Sequence, residues 1–342
     1  MSVTRVLQDQ AICEVRAPEL SAVHPCAARA EYIDRKLRTR LSDSFRHIAD
    51  CVDLGDDSSA KLNFLEDRLG HSSVSPWVFC LYSKLVAELS NNISDGASAI
   101  VFDLATAVAL PAAGIVPLGD GTVSRSWWNH FHVIFDTDGE RPFNPQIPSP
   151  ESFSHCQREV QEGLALLQVA DPDWYDEVRS LLRMIVLGSA RLDTDELFNG
   201  ASTFFFWGGS LINAELRRSA VSIVDLLVHE SSHLLLFGLS ADGALLINSG
   251  EDRYTSPLRF DARPIDGILH GCFVASRVNL AMSRLLDSGA LTEENRQRAV
   301  ERRKLSAKTG RIGLCVLNEH AKPTEFGQSV LETLRSYWAT TA

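Results

Sequence analysis

Apolar positions recur along most of this chain with a helical period of three to four residues. Residues 26–49 carry that spacing with charges between, which predicts an amphipathic helix. Ser75-Pro76 opens a second helical stretch running to about Asn91, with proline at a first-turn position. Ser94-Asp95-Gly96 breaks it, and residues 97–110 read as a further helix closed by Pro111. Ala97 to Leu118 is the most apolar stretch. Asp103, Pro111 and Pro117 interrupt it, so a buried helix followed by a strand fits better than a membrane span. Phe131 to Phe135 reads as a strand closed by a turn at Asp136 to Gly139. Residues 151–187 return to helical spacing, and Gly200 to Asn213 reads as an aromatic strand with close backbone approach. Residues 219–238, 264–287, 291–309 and 325–339 predict four more helices around a loop at 241–261. The expected fold class is α+β and mainly helical. Its small β-sheet comes from parts of 130–137 and 202–213, beside the helix of 219–238. The expected organisation is a helical region over 1–120 and a second region over 121–342.

Composition narrows the function. Hydrophobic residues make up 45% and charged residues 23% of the 342 positions, enough for a sizeable core. Lys and Arg total 33 against 44 Asp and Glu. That acidic balance lacks the basic footprint of a nucleic-acid binder. Seven scattered cysteines without a CxxC pair form neither a disulfide framework nor a zinc ribbon. They fit reduced thiols in a cytoplasm. The first fifteen residues contain no apolar run of the signal-peptide kind, and neither membrane nor nucleic-acid partners are expected. No Walker loop, GxSxG or GxGxxG occurs in the chain.

One motif carries chemistry. His229-Glu230-Ser231-Ser232-His233 is an HExxH within an apolar helix. Residues four apart share a helical face, so both imidazoles can reach one metal ion, with Glu230 projecting about 100° away. Flanking Ile223, Leu226, Leu227, Val228, Leu234, Leu235, Leu236 and Phe237 predict burial, where polar side chains need partners. Asp225, four residues earlier, is open between orienting His229 and facing solvent. Downstream third-ligand candidates are Glu251, Asp252, Asp261, Asp266 and His270. Among them His270, within an apolar helix, is preferred. His130-Phe131-His132 is open between a metal or groove role and an ordinary half-exposed strand. Thr203 to Gly209 is open between core and a peptide platform.

The HESSH helix, together with Ser256-Pro257-Leu258-Arg259 and Asp261-Ala262-Arg263-Pro264-Ile265-Asp266-Gly267-Ile268-Leu269-His270, resembles the HExxH-type peptide-modification proteins. These are Fe(II)- and 2-oxoglutarate-dependent β-hydroxylases of ribosomally made precursor peptides. The resemblance covers about residues 200–285. It implies metal binding by His229, His233 and His270. Helix geometry sets Glu230 beside the metal as the catalytic candidate, and two short β-rich segments among many helical ones predict a zincin-like setting rather than a double-stranded β-helix. The resemblance also implies co-substrate contacts from among Ser256, Arg259, Arg263 and Arg277. A three-histidine set departs from the usual two-histidine, one-carboxylate iron triad. The far carboxylate of 2-oxoglutarate calls for a planar bidentate donor. Arg263 is favoured because Pro264 holds it extended ahead of the His270 helix, and Arg277, two turns beyond His270, is second. The implied partner is a precursor peptide, and whether a partner protein delivers it is open. The rival reading is a zinc metallopeptidase with Glu230 as general base.

Overall fold

The computed structural model describes residues 22–71, 73–91, 94–136, 144–190, 198–255 and 262–341. Eleven α-helices run through them: α1 (Ala27–Cys51), α2 (Asp56–His71), α3 (Pro76–Ser90), α4 (Ser94–Ala107), α5 (Arg125–Phe135), α6 (Pro150–Ala170), α7 (Pro172–Leu181), α8 (Ala220–Leu239), α9 (Ile265–Asp287), α10 (Glu293–His320) and α11 (Glu325–Thr340). Four short strands, β1 (Gly114–Pro117), β2 (Met184–Gly188), β3 (Gly200–Ala201) and β4 (Gly209–Asn213), form one sheet in the order β1-β2-β4-β3. β1, β2 and β4 are parallel and β3 is antiparallel to β4. The protein is thus α+β and mainly helical, with a small mixed sheet. One apolar core runs continuously from Val23 to Leu334. The pairing of β1 with β2 crosses the boundary expected near residue 120.

Two expectations are corrected. Residues 130–137 do not form a strand, because Arg125–Phe135 is helical. Trp127, Trp128, Phe131, Ile134 and Phe135 are its buried side chains, at spacings of one, four, seven and eight residues, which is one face of a helix. A strand reading that starts at Phe131 misses the two tryptophans that set the period. Those rings instead pack with Trp77 and Phe206 in an aromatic cluster, with Trp77–Trp128 centroids 4.8 Å apart and Phe131–Phe206 centroids 5.1 Å apart. Second, the helix expected through residue 187 ends at Leu181, and Met184–Gly188 becomes the central strand β2 with every residue buried. A short continuous apolar run satisfies either structure, and only pairing with β1 and β4 decides between them. In the 200–213 segment, β3 and β4 flank a 3-10 turn at Phe204–Phe206.

The HExxH helix α8 starts with Ser219 accepting from the Ser222 amide as N-cap. It packs against α6, α7, α9 and β3. Gly163 of α6 and Gly238 of α8 permit close approach: a Cβ at Gly163 would strike Ile223, and one at Gly238 would meet Ile33 and Trp207. Residues Ala220–Asp242 are long and apolar enough to cross a membrane by composition, yet 67% of the most apolar window is covered by the protein itself. Apolar sequence on every side of α8 therefore reflects burial between helices.

Two buried ion networks tie the layers together. Asp34 of α1 accepts from Arg183 Nη1 (3.0 Å), Trp207 Nε1 (3.0 Å), Arg38 Nε (3.0 Å) and Ser73 Oγ (3.2 Å). Burial would raise its pKa, but Arg183, Arg38 and Trp207 together hold it below its ordinary 3.8. Glu177 of α7 accepts from Arg29 Nη2 of α1 (2.6 Å) and Arg277 Nη2 of α9, all three side chains being fully buried.

Candidate metal centre

His229 and His233 sit one turn apart on α8, and His270 faces them from the second turn of α9. His233 Nε2 lies 3.2 Å from His229 Nε2, and His233 Nδ1 lies 3.2 Å from His270 Nδ1. The His233 ring is thus the middle member of a row of three imidazoles. The Phe237 ring lies against His270, tilted by 46° with centroids 4.9 Å apart. All three histidines are half-buried. Burial pushes His229 down to about 4, with Arg302 adding to the effect. Burial pushes His233 and His270 to about 3, each helped by the imidazole beside it. Neutral rings present lone pairs, the form a metal requires.

Two nitrogens bound to one first-row ion at about 2.1 Å stand roughly 3.0–3.4 Å apart, depending on geometry. The His229–His233 edge, at 3.2 Å, has that span. The His233–His270 edge has it too, but uses the opposite nitrogen of the His233 ring. One ring cannot turn both nitrogens to one ion. Accordingly, among the described residues no three His, Cys, Asp or Glu side chains converge as an ion-holding cluster. The pair fits a metal, and a three-imidazole set requires a different ring orientation at His233 or His270.

Glu230 points elsewhere. It is 3% exposed, and its Oε2 accepts from Ser202 Oγ at 2.7 Å. Its Oε1 lies 2.7 Å from where a Cβ on Gly200 would stand, so glycine there admits the carboxyl against β3. Burial pushes its pKa up to about 7, with Asp225 raising it further and Ser202 opposing. Asp225 Oδ2 accepts from Arg302 Nε of α10 at 2.6 Å, while its buried Oδ1 holds no hydrogen bond. Its bonded partner is an arginine and not an imidazole.

Of the predicted co-substrate residues, Arg263 and Arg277 are described. Ser256 and Arg259, and with them the ligand candidate Asp261, lie outside the described residues. Arg263 pairs its backbone with Tyr254 in an antiparallel bridge (2.8 and 2.9 Å), directly ahead of Pro264 and α9. Arg277 is fully buried: Nε donates to Ser232 Oγ (2.9 Å), Nη1 to the Val23 carbonyl (3.0 Å) and Nη2 to Glu177. Its face stacks on Trp174, 4.5 Å from the ring centre. With all three nitrogens committed to the protein, Arg277 supports the residue next to His233. The sequence alone hid this role, because Glu177 lies 100 residues away. Glu251 and Asp252 are exposed in a turn. His130 and His132, two residues apart on a helix, face different sides, and His130 Nε2 bonds Ser83 Oγ at 2.8 Å. They form no shared site.

Compared with models of known protein families and with curated proteins, the chain matches none.

Proposed function

We propose that the protein is an Fe(II)- and 2-oxoglutarate-dependent oxygenase that β-hydroxylates a side chain of a ribosomally made precursor peptide in the cytoplasm. The observation that carries the reading is the row of three neutral imidazoles, spaced 3.2 Å apart between two apolar helices. With the His233 or His270 ring turned from the orientation described above, His229, His233 and His270 would hold the metal. Bound Fe(II) with 2-oxoglutarate supplies the O₂-dependent oxidation of an unactivated C–H bond.

The chain's own residues then have distinct tasks. Apolar α8 and α9 keep the imidazoles neutral and limit water around them. Arg277 holds Ser232, whose Oγ also donates to the Val228 carbonyl at 2.5 Å, and so fixes the turn that carries His233. Glu230 keeps a proton exchangeable at its carboxyl, beside Ser202. Arg263 is the preferred anchor for the far carboxylate, because it stands directly ahead of Pro264 and the helix that carries His270. Ser256 and Arg259 are the further candidates. A zincin-like relation between α8 and the β3 edge belongs to the same proposal, since Glu230 reaches that edge. The six cysteines among the described residues are free thiols, in keeping with a reducing compartment.

The test is anaerobic reconstitution with Fe(II), followed by 2-oxoglutarate. A weak visible charge-transfer band should appear, and Arg263→Lys should weaken 2-oxoglutarate binding while leaving metal affinity unchanged. Metal binding without any 2-oxoglutarate association overturns the proposal. Zinc-dependent peptide cleavage with no O₂ requirement replaces it with the metallopeptidase.

A further inference from the structure

Away from the imidazole row, an open groove of about 560 Å³ lies between α1, α3, α5, the 3-10 turn at Phe204–Phe206, and Ala241. Its volume falls within the ~300–1,000 Å³ of ligand sites. Phe79, Tyr82, Ile134 and Phe205 give it an apolar wall. Val86, Val133 and Phe205 are 40%, 65% and 48% exposed, so unusually large apolar side chains gather on one patch. Its polar pair, Ser83 Oγ and His130 Nε2, is self-satisfied at 2.8 Å. The lining therefore selects for apolar bulk.

Charge distinguishes one end. Arg40 also lines an adjoining hollow of about 320 Å³ with Arg35, Lys36 and Thr39. Asp242 pairs with both Lys36 and Arg40, and Arg40 Nη1 donates to the Ala241 carbonyl at 2.6 Å. Three cations against one carboxylate leave that end positive, on a chain whose formal charge is −11.

We infer that this groove docks an amphipathic helix of a partner polypeptide, with apolar anchors in the groove and acidic residues at the Arg35–Arg40 end. The walls are mainly helical, so their backbone is internally bonded and an extended chain gains no strand pairing. The groove is open along its rim, which suits a helix that keeps one face in water. The inference stands independently of the metal chemistry.

The experiment pans a displayed library of random 15-residue peptides against the full-length, metal-free protein, with Val133→Asp as counter-selection. Enriched peptides are then synthesised and measured by fluorescence anisotropy. Expected sequences carry apolar residues at i, i+4 and i+7 with Asp or Glu towards one end. Val133→Asp should weaken binding at least ~10-fold, and Arg35→Glu several-fold at low salt, with the charge effect shrinking as salt rises. Both residues are exposed, so the variants should fold like the wild type. No enrichment, enrichment of basic peptides, or indifference to Val133→Asp overturns the inference. A wild-type dimer that Val133→Asp dissociates overturns it in favour of a second copy as occupant.

Discussion

Glu177→Gln removes one charge from a buried group of three. Arg29, Glu177 and Arg277 have side chains with no solvent exposure, so the group goes from a net charge of +1 to +2 in the dry interior. Burial alone would raise the Glu177 pKa, but Arg277 and Arg29 together hold it below its ordinary value, so the carboxylate is ionised at neutral pH. Glutamine keeps the shape and one acceptor oxygen, but leaves two guanidiniums uncompensated. Breaking a buried pair costs about 3–5 kcal/mol. That is a large share of a total stability of roughly 5–15 kcal/mol. At ~2–4 °C per kcal/mol the expected fall in Tm is about 10 °C, read by circular dichroism and by the urea midpoint at unchanged slope. The triple change Arg29→Met, Glu177→Leu and Arg277→Met removes charge and partner together, and should lie closer to wild type than Glu177→Gln. A Glu177→Gln protein within ~1 kcal/mol of wild type would refute the reasoning, because the two arginines would then have found water or another anion.

His233→Ala should abolish Co(II) or Fe(II) binding, measured by titration calorimetry and absorption, because His233 belongs to both 3.2 Å edges. His270→Ala should retain weaker binding through the His229–His233 pair; equal losses in the two variants would contradict the row arrangement. Asp34 has a folded pKa below 3.8, so its ion pairs contribute their full stability above about pH 5 and lose it as pH falls through the folded value. Asp34→Asn should therefore be less stable at pH 7 and show a shallower loss of unfolding free energy between pH 5 and 3, measured by urea denaturation at each pH. Gly327→Ala places a Cβ on the Leu245 carbonyl, which is backbone and cannot swing aside. It should cost about 1–3 kcal/mol in chemical denaturation, whereas Gly250→Ala, with open space around it, should stay within ~0.5 kcal/mol.

Local pattern determined much of this protein. The helical period located α1, α3, α8, α9 and α11 to within a few residues, and Ser75-Pro76 and Pro264 marked starts that the structure keeps. HExxH spacing put His229 and His233 on one face, since four residues of helix bring side chains together whatever surrounds them. An apolar His in a second helix was enough to single out His270, which stands next to His233.

Tertiary structure decided the rest, because the deciding partners are far apart along the chain. Met184–Gly188 became a strand only through β1 and β4, and Phe131 became helical because Trp127 and Trp128 share its buried face. Arg277 looked like a free cation two turns past His270; Glu177, 100 residues upstream, makes it a buried strut behind Ser232. Ring orientation likewise follows from packing. Spacing brings three imidazoles together, but the contacts around His233 determine that its two nitrogens face different neighbours. Sequence period places a side chain on a face, whereas the direction of a nitrogen lone pair depends on everything packed around the ring.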